Sequence, residues 1–566
     1  MRYRVLACDY DGTIAAHGAV DAPTVDALRR LKSSGRKLIL VTGRHLGDLF
    51  TVFPEMGMFD RVVAENGGLL YNPETQKERP LGDAPPEQFV SELQRRGVAP
   101  LDQGRVVVAT WHPNETVVLE VIRDLGLEHQ VIFNKGAVMV LPPGVNKASG
   151  LHAALTELCL SVHEVVGVGD AENDRAFLAS SECAVAVANA LPTLKERVDL
   201  VMPLDHGAGV AQLCEMMLAD DLASVEPNLG RHHAALGQRR DESEMSMPPY
   251  GLNVLVAGPS GSGKSTFATG LVERLSQKGY QVCVIDPEGD YEALPGLVSL
   301  GAPQHAPTLA EIEQLIHQPD HGASLNLLGV PLADRPAFFD QLLLRLQAIR
   351  AKTSRPHWLL VDEAHHLLPQ EWKLAAQHLK LWNTIFVTVH PQAMSVEALR
   401  QVDVVVAVGS KADETLHAFA TAVGQELPDE LPEPEDREAI AWWVQSGAPP
   451  EPIAILQPEA ELQRHERKYA EGDLEDRSFY FRGPEGKLNL RAQNLAVFVQ
   501  TAEGVDDETW EHHLEQGDIE QWFRASIKDP ELATEVAKVA ASRASPRESR
   551  RSIREAIEKR YTLAAA

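Results

Sequence analysis

Two groups of polar residues in this sequence have the types and spacing that phosphate chemistry requires. The first opens at the end of a short apolar run, RVLACDY, where Asp9 and Asp11 stand in DYDGT. Other polar residues follow later apolar runs: Thr42 in VTGR, Lys147 in PPGVNKASG, and Asp170 and Asp174 in GDAEND. In open parallel sheets, ligands bind at the carboxyl ends of the strands, and these positions match that edge. A carboxylate can attack phosphorus once the phosphoryl charge is neutralised and the leaving oxygen is protonated. Clustered acids recruit Mg²⁺, a hard cation that takes oxygen ligands. The metal and a lysine offset the charge on nucleophile and phosphate. A second carboxylic acid protonates the leaving alcohol and later activates water.

The second group is GPSGSGKST (258–266), which follows NVLVA and precedes TFATGLVERLSQKG. That strand–loop–helix context is the one a Walker A loop needs. Gly258, Ser260, Gly261 and Gly263 let the main chain wrap the phosphates of ATP, and amides at the helix start, through Thr266, point at them. Lys264 reaches the β- and γ-phosphates, and Ser265 reaches Mg²⁺. In HWLLVDEAHHLLP, Asp362 and Glu363 end an apolar run as a Walker B strand would. The first supports the metal-bound water shell and the second polarises the attacking water. Asp286 in VIDPEGDY and Thr388 with His390 in FVTVHP close two more runs, and His390 is the candidate γ-phosphate sensor. His365 and His366 are adjacent, so on a helix they do not share a face, and local packing is the expected role.

These residues need two α/β frames to position them. Residues 1 to about 220 alternate β-rich runs (4–10, 37–43, 165–170, 183–188, 200–203) with helical stretches, which predicts a parallel sheet covered by helices. The rhythm breaks at about 79–143, which reads as a small α+β insertion or cap. A polar connection from Ala219 to Pro249 contains AALGQRR and SEMSMP, a candidate hairpin, and a second alternation runs from Leu252 to Leu456. After a charged stretch, ELQRHERKYAEGDLEDR, residues 461–566 read as mainly helical, with Trp510 and Trp522 expected in a core rather than a ligand box.

Composition narrows the classes of function. With 566 residues, about three domains are expected. The formal charge of −28 repels a polyanion, which disfavours nucleic acid as a partner. Five scattered cysteines with no CxxC pair fit a reducing compartment. The N-terminus shows no signal-peptide pattern, and no apolar run approaches the ~18 residues of a membrane span. A cytoplasmic location with no membrane contact is the expectation.

With these motifs in order over about 215 residues, the first part resembles the haloacid dehalogenase (HAD) superfamily of phosphatases, with a Rossmann-like core and a type IIB-like cap. The resemblance implies Asp9 as nucleophile, forming an aspartyl-phosphate, and Asp11 as general acid/base. Thr42 and Lys147 would hold the phosphoryl group. Asp9, Asp11, the Tyr10 carbonyl, Asp170 and Asp174 would form the metal set. A cap at this position implies a small phosphorylated metabolite, such as a sugar phosphate or phosphoglycolate.

Residues 225–460 resemble the HerA/FtsK division of RecA-like P-loop ATPases, through the Walker A loop, DPEGDY, DEAHHL and the T-x-H-P strand. That resemblance implies ATP, Mg²⁺ and a homo-oligomer, commonly a hexameric ring. The chain departs from it where a basic R-K-x-G-like segment is expected: it reads LKLWNTIFV, and Arg400 is a poor substitute. The leading expectation is a Mg²⁺-dependent phosphatase coupled to, or regulated by, an ATPase. The alternatives are a DNA-associated motor with an accessory phosphatase, and an ATP-binding switch.

Overall fold

The computed structural model of the 566-residue chain describes residues 1–134, 136–225, 230–292, 294–319, 321–371, 381–428, 430–459, 478–484, 486, 488–527, 529–542 and 544–560. The charged stretch 461–477 and residues 379–380 of the LKLWN segment lie outside the described residues. By compactness the chain falls into two units: Met1–Pro287 with Gly296–Pro458, and Glu288–Pro295 with Glu459–Ala566.

The larger unit holds two sheets. The first is built from β1 (Val5–Cys8), β2 (Lys37–Val41), β3 (Arg61–Ala64), β4 (Leu69–Asn72) and β5 (Lys77–Pro80), continued after an insertion by β10 (Val165–Gly169), β11 (Cys183–Ala186) and β12 (Leu200–Val201). Its strand order is β12-β11-β10-β1-β2-β3-β4-β5, parallel from β12 to β3 and antiparallel beyond. The central strands VLAC and VVGVG are buried on both faces, as parallel strands under two helical layers must be. Helix Ala22–Ser33 packs on helix His206–Asp220, and helix Lys147–Glu157 packs on helix Arg175–Ser180.

The insertion forms its own antiparallel sheet from β6 (Asp102–Gln103), β7 (Val108–Trp111), β8 (Gln130–Asn134) and β9 (Ala137–Leu141), in the order β6-β7-β9-β8. Helices Glu87–Arg95 and Glu115–Asp124 supply Phe89, Leu93, Val118 and Val121 to its separate core.

The second sheet begins with a hairpin, β13 (Ala234–Gln238) and β14 (Glu244–Met247), as the sequence suggests. It continues through β15 (Asn253–Ala257), β16 (Val282–Asp286), β17 (Leu297–Leu300), β18 (Gly322–Asn326), β19 (Trp358–Val361), β20 (Thr384–Thr388), β21 (Val404–Val408), β22 (Glu438–Trp443) and β23 (Glu451–Ala454). The order β14-β13-β23-β22-β21-β15-β20-β19-β16-β18-β17 inserts β20 between the strand before the Walker A loop and the strand before Asp362.

The two sheets of this unit are joined through buried polar contacts. The Glu182 carboxylate accepts hydrogen bonds from Arg2 at 2.8 Å and from the Tyr280 hydroxyl at 3.1 and 3.2 Å, and lies 2.7 Å from His163 Nδ1. The Tyr280 ring stacks on His163 with centroids 3.8 Å apart. Arg355 donates to the Cys159 carbonyl at 2.6 Å, and Arg4 donates to Ser354 Oγ at 3.1 Å. Burial would raise the Glu182 carboxyl, but the His163 hydrogen bond and the charges of His163, His232 and Arg2 outweigh it and hold it at about 2.

In the smaller unit, β24 (Phe479–Phe481) pairs with β25 (Leu490–Ala492), and helices between Leu495 and Arg560 close a core around Phe498, Trp510 and Trp522. The Trp510 indole donates to Ser549 Oγ at 2.9 Å, so both tryptophans are core residues, as expected from the sequence. All five cysteines are free thiols. Among the described residues no helix is long and apolar enough to cross a membrane.

Two stability predictions follow from this packing. Glu182→Gln leaves buried cations without their counter-charge, a loss of about 3 kcal/mol at neutral pH. The folded-state value lies below the ~4.3 of an unfolded glutamate, so the contribution is complete above that value and fades as pH falls toward 2. Urea melts of wild type and variant should differ most at neutral pH and draw together below about pH 4.3. A gap that persists unchanged would remove the charge from the account. Gly67 has φ +102°, and a Cβ there would lie 1.9 Å from the Asn146 carbonyl that begins the Lys147 helix. Gly67→Ala therefore combines a left-handed backbone with overpacking and should lower stability by about 3 kcal/mol; an unchanged melting temperature would show that the helix moves freely.

Candidate active site

The first site is assembled at the carboxyl ends of β1, β2 and β10. Asp9 follows β1 and is 4 % exposed; its Oδ2 accepts from Thr13 Oγ1 at 3.2 Å. Lys147 is the first residue of its helix, where the Asn146 side chain accepts from the Ala148 and Ser149 amides and forms a capping box with Ser149. The cap fixes the helix start, so the fully buried Lys147 ammonium bridges Asp9 Oδ1 and Asp174 Oδ1, each at 2.6 Å. Burial works against this ammonium, but Asp174 and Asp9 outweigh it and hold its pKa above the usual lysine range. Asp9 is pushed the other way, up to about 7, by burial first and then by Asp174, with Lys147 opposing.

Asp174 uses both oxygens inside the protein. Its Oδ2 accepts from the main-chain amides of Asp170 and Ala171, both at 2.9 Å. Thr42 is buried after β2, and its Oγ1 accepts from the Arg44 amide at 3.1 Å. Asp11 is turned away from this group: it forms a two-pronged ion pair with Arg44, at 2.6 and 2.7 Å. Arg44, which the sequence reading passed over, stands two residues beyond Thr42 in the same VTGR run, which is the signal that could have marked it.

The inserted sheet is fastened over the site by Glu65. Its carboxylate accepts the main-chain amides of Arg105, Val106 and Val107 at 3.0, 2.9 and 3.2 Å, and lies 3.6 Å from His45. Glu65 and Asn66 both have positive φ, 52° and 53°, so the chain after β3 is bent to present these groups. A Cβ added at Gly43 would meet the Met139 sulfur at 3.7 Å, which brings β9 over the Thr42 turn.

Asp9, Asp170 and Asp174 are buried and offer carboxylate oxygens within 4.8 Å of one another. Three carboxylates and one lysine leave an excess of two negative charges, and the donors are all hard oxygens, so the set fits Mg²⁺. Asp11 is not among these grouped oxygens. A second cluster, His163, Glu182 and His232, also meets the distance requirement, but Arg2 and Tyr280 hold the same carboxylate and make it part of the ion-pair network.

The second site lies at the ends of β15, β19 and β20. Gly258 brings the loop so close to β21 that a Cβ would lie 2.1 Å from the Val408 carbonyl, and Gly261 and Gly263 have φ of +75° and +103°. Lys264 starts its helix, is nearly buried, and donates to the Pro259 carbonyl at 2.9 Å across the loop. Ser260, Ser265 and Thr266 belong to the same loop and first helical turn. Asp362 is fully buried and Glu363, 8 % exposed, has φ +42°. Asp286 is buried at the end of β16. Thr388 is buried at the end of β20, whereas His390 is exposed. His365 was expected only to pack locally, yet its Nδ1 lies 3.1 Å from Thr388 Oγ1 and 3.5 Å from Glu363. Burial, with the charges of His366, His390 and Lys264, lowers His365 to about 4, so it stands neutral between these groups. Arg400 is exposed.

Two stretches of the chain match described families. The haloacid dehalogenase-like hydrolase family matches residues 6–99 and 118–213, and the helicase HerA central domain matches residues 253–334. A phosphoglycolate phosphatase from Methanothermobacter thermautotrophicus is 34% identical over 220 residues, covering 37% of this chain and 96% of that protein. One from Haloarcula marismortui is 32% identical over 213 residues, covering 36% of this chain and 92% of its own. A solved haloacid dehalogenase-like hydrolase from Bacteroides thetaiotaomicron aligns over 38% of this chain and 99% of its own, at 19% identity and a TM-score of 0.34. Through its N-terminal sheet, with Asp9, Lys147 and Asp170 gathered at one edge, this chain belongs to the haloacid dehalogenase-like hydrolases.

Proposed function

We propose that the chain hydrolyses a small phosphomonoester through a phosphorylated Asp9, with phosphoglycolate the first substrate to test. The observation that carries this reading is the buried Lys147 ammonium held between Asp9 and Asp174, which aims a compensated carboxylate at the open end of β1. The relatives named phosphoglycolate phosphatase support the substrate class. Asp9 and Asp170 would hold Mg²⁺, with Asp174 contributing charge and fixing Lys147; the Tyr10 carbonyl, expected from the sequence to join them, accepts the Thr13 and Ala15 amides at 3.3 and 2.9 Å instead. Bound there, the metal would neutralise phosphoryl charge. An Asp9 oxygen attacks phosphorus, the ester P–O bond breaks, and the leaving alkoxide takes a proton from Asp11. Water then attacks the aspartyl-phosphate as Asp11 takes its proton, and Asp9 is restored. For Asp11 to act, its pair with Arg44 must open. Substrate binding beside Thr42 would draw the arginine to the phosphate.

The P-loop site is proposed to bind Mg²⁺–ATP through Lys264 and Ser265, with Asp362 and Glu363 promoting hydrolysis, and His390 or the better-placed His365 near the γ-phosphate. The proposed divisions are 1–220 for the phosphatase (cap about 79–143), 225–460 for the ATPase and 461–566 for a helical interaction or regulatory part. Because both sheets belong to one compact unit and share the Glu182 junction, ATP occupancy is proposed to regulate the phosphatase. A motor acting on DNA, as a homo-oligomer, is the second reading, favoured by the HerA match.

Asp9→Asn should lower Mg²⁺-dependent phosphoglycolate hydrolysis at least about a hundredfold while ATP hydrolysis persists; residual activity near wild type would end the aspartyl-phosphate reading. Chelation of Mg²⁺ should silence both activities. Lys264→Ala should lose ATP affinity, whereas Glu363→Gln should retain ATP unhydrolysed, and phosphatase kinetics measured on that variant with and without ATP test the coupling. Unchanged kinetics together with an ATPase rate that rises many-fold with DNA would favour the motor.

A further inference from the structure

At the opposite, amino-terminal edge of both sheets lies a cavity of about 110 Å³, bordered by Arg2, Arg4, Tyr250, Arg350, His357 and Trp382. That volume accommodates several waters or one small ion. Its lining residues include no acid. Arg2 is paired with Glu182 and Arg4 with Glu164, 3.3 Å away. Arg350 differs. Its guanidinium is only 6 % exposed and donates to main-chain carbonyls alone: Pro356 at 2.7 Å, Trp382 at 3.0 Å and His357 at 3.4 Å. Among the described residues no carboxylate pairs with it, and burial lowers it to about 10. A buried charge without a counter-ion is costly.

The neutral groups around the cavity are donors as well. His357 Nδ1 accepts the Gln281 amide at 2.8 Å, so in the neutral ring Nε2 carries the proton. That Nε2 and the Tyr250 hydroxyl are buried and have no hydrogen-bond partner among the described residues. One uncompensated cation and two unused donors, with an indole at the margin, are complementary to an oxyanion rather than to a metal or a base.

We propose that this cavity binds a small phosphate-bearing anion, either orthophosphate or the phosphate group of a small metabolite. The placement gives such a ligand a consequence. Arg2 and Arg4 lead into β1, which is followed by Asp9; His357 leads into β19, which is followed by Asp362; Trp382 lies just before β20, which ends at Thr388. Each strand is four or five residues long, roughly 15 Å at 3.3 Å per residue. An anion here would therefore tie together the starts of three strands whose far ends carry the residues of both sites. The inference does not depend on either proposed activity, since it concerns binding at the other edge.

Calorimetric titration of orthophosphate, without Mg²⁺, into full-length Thr42→Val/Arg44→Gln/Lys264→Ala protein, which lacks groups proposed to hold phosphate at the two other sites, tests it. One remaining site is expected, weakened at least about tenfold by adding Arg350→Met and about threefold by Tyr250→Phe or Arg4→Gln. If Arg350→Met fails to fold by circular dichroism, the other two variants decide. Tighter binding of phosphoglycolate that is sensitive to Trp382→Ala would identify a metabolite as occupant, and equal or weaker binding would identify orthophosphate. Absence of a residual site, or a site indifferent to the foldable substitutions among these three, would overturn the proposal.

Discussion

Charge balance at the end of β1 is the constraint around which the phosphatase part is arranged. Three buried carboxylates cannot share a site unless cations are brought to them, and the protein itself supplies one, Lys147. To reach both Asp9 and Asp174 that lysine must begin a helix, and the helix must begin at a fixed height. The Asn146 cap and the close approach of Gly67 to the Asn146 carbonyl set that height. The remaining negative charge makes the site fit a divalent cation, and burial first, then the neighbouring Asp174, raises Asp9.

The second sheet offers a different set of groups at its edge. Its loop offers main-chain amides at a helix start, so the tight turns fall to glycines, and one lysine spans the loop from within. Inserting β20 between β15 and β19 brings Thr388 to His365, which lies two residues after Glu363 and 3.5 Å from its carboxylate. Both sheets thus point their chemistry to their carboxyl edges and join one another through the Glu182 network.

Much of this was legible in the sequence because it is local. Apolar runs of four or five residues ending in Asp, Thr or Gly mark strand ends, and the Walker A loop carries its own phosphate-binding geometry in its glycines. What escaped is what depends on a partner distant in the chain. Nothing in DYDGT shows that Asp11 is clamped by Arg44, or in GDAEND that Asp174 spends both oxygens internally. Glu182 belongs to no motif that marks it, and its partners Arg2 and Tyr280 lie 180 and 98 residues away. His365 was discounted by helical geometry, which is sound for a metal pair but silent about β20. The tryptophans of the C-terminal unit were placed correctly because helical spacing of large apolar residues is a local signal.

The Glu65 clip has a consequence for how this enzyme can change. The carboxylate grips the inserted sheet by three main-chain amides and by no side chain of residues 105–107. Peptide N–H groups are the same whatever residue bears them, proline excepted. Arg105, which is exposed, can therefore be exchanged without loosening the clasp, whereas Val106 and Val107 are held by their burial against Met139, Leu141 and Val145. The attachment of the insertion thus rests on backbone geometry, and the exposed position 105 can change while Glu65 keeps the same three partners.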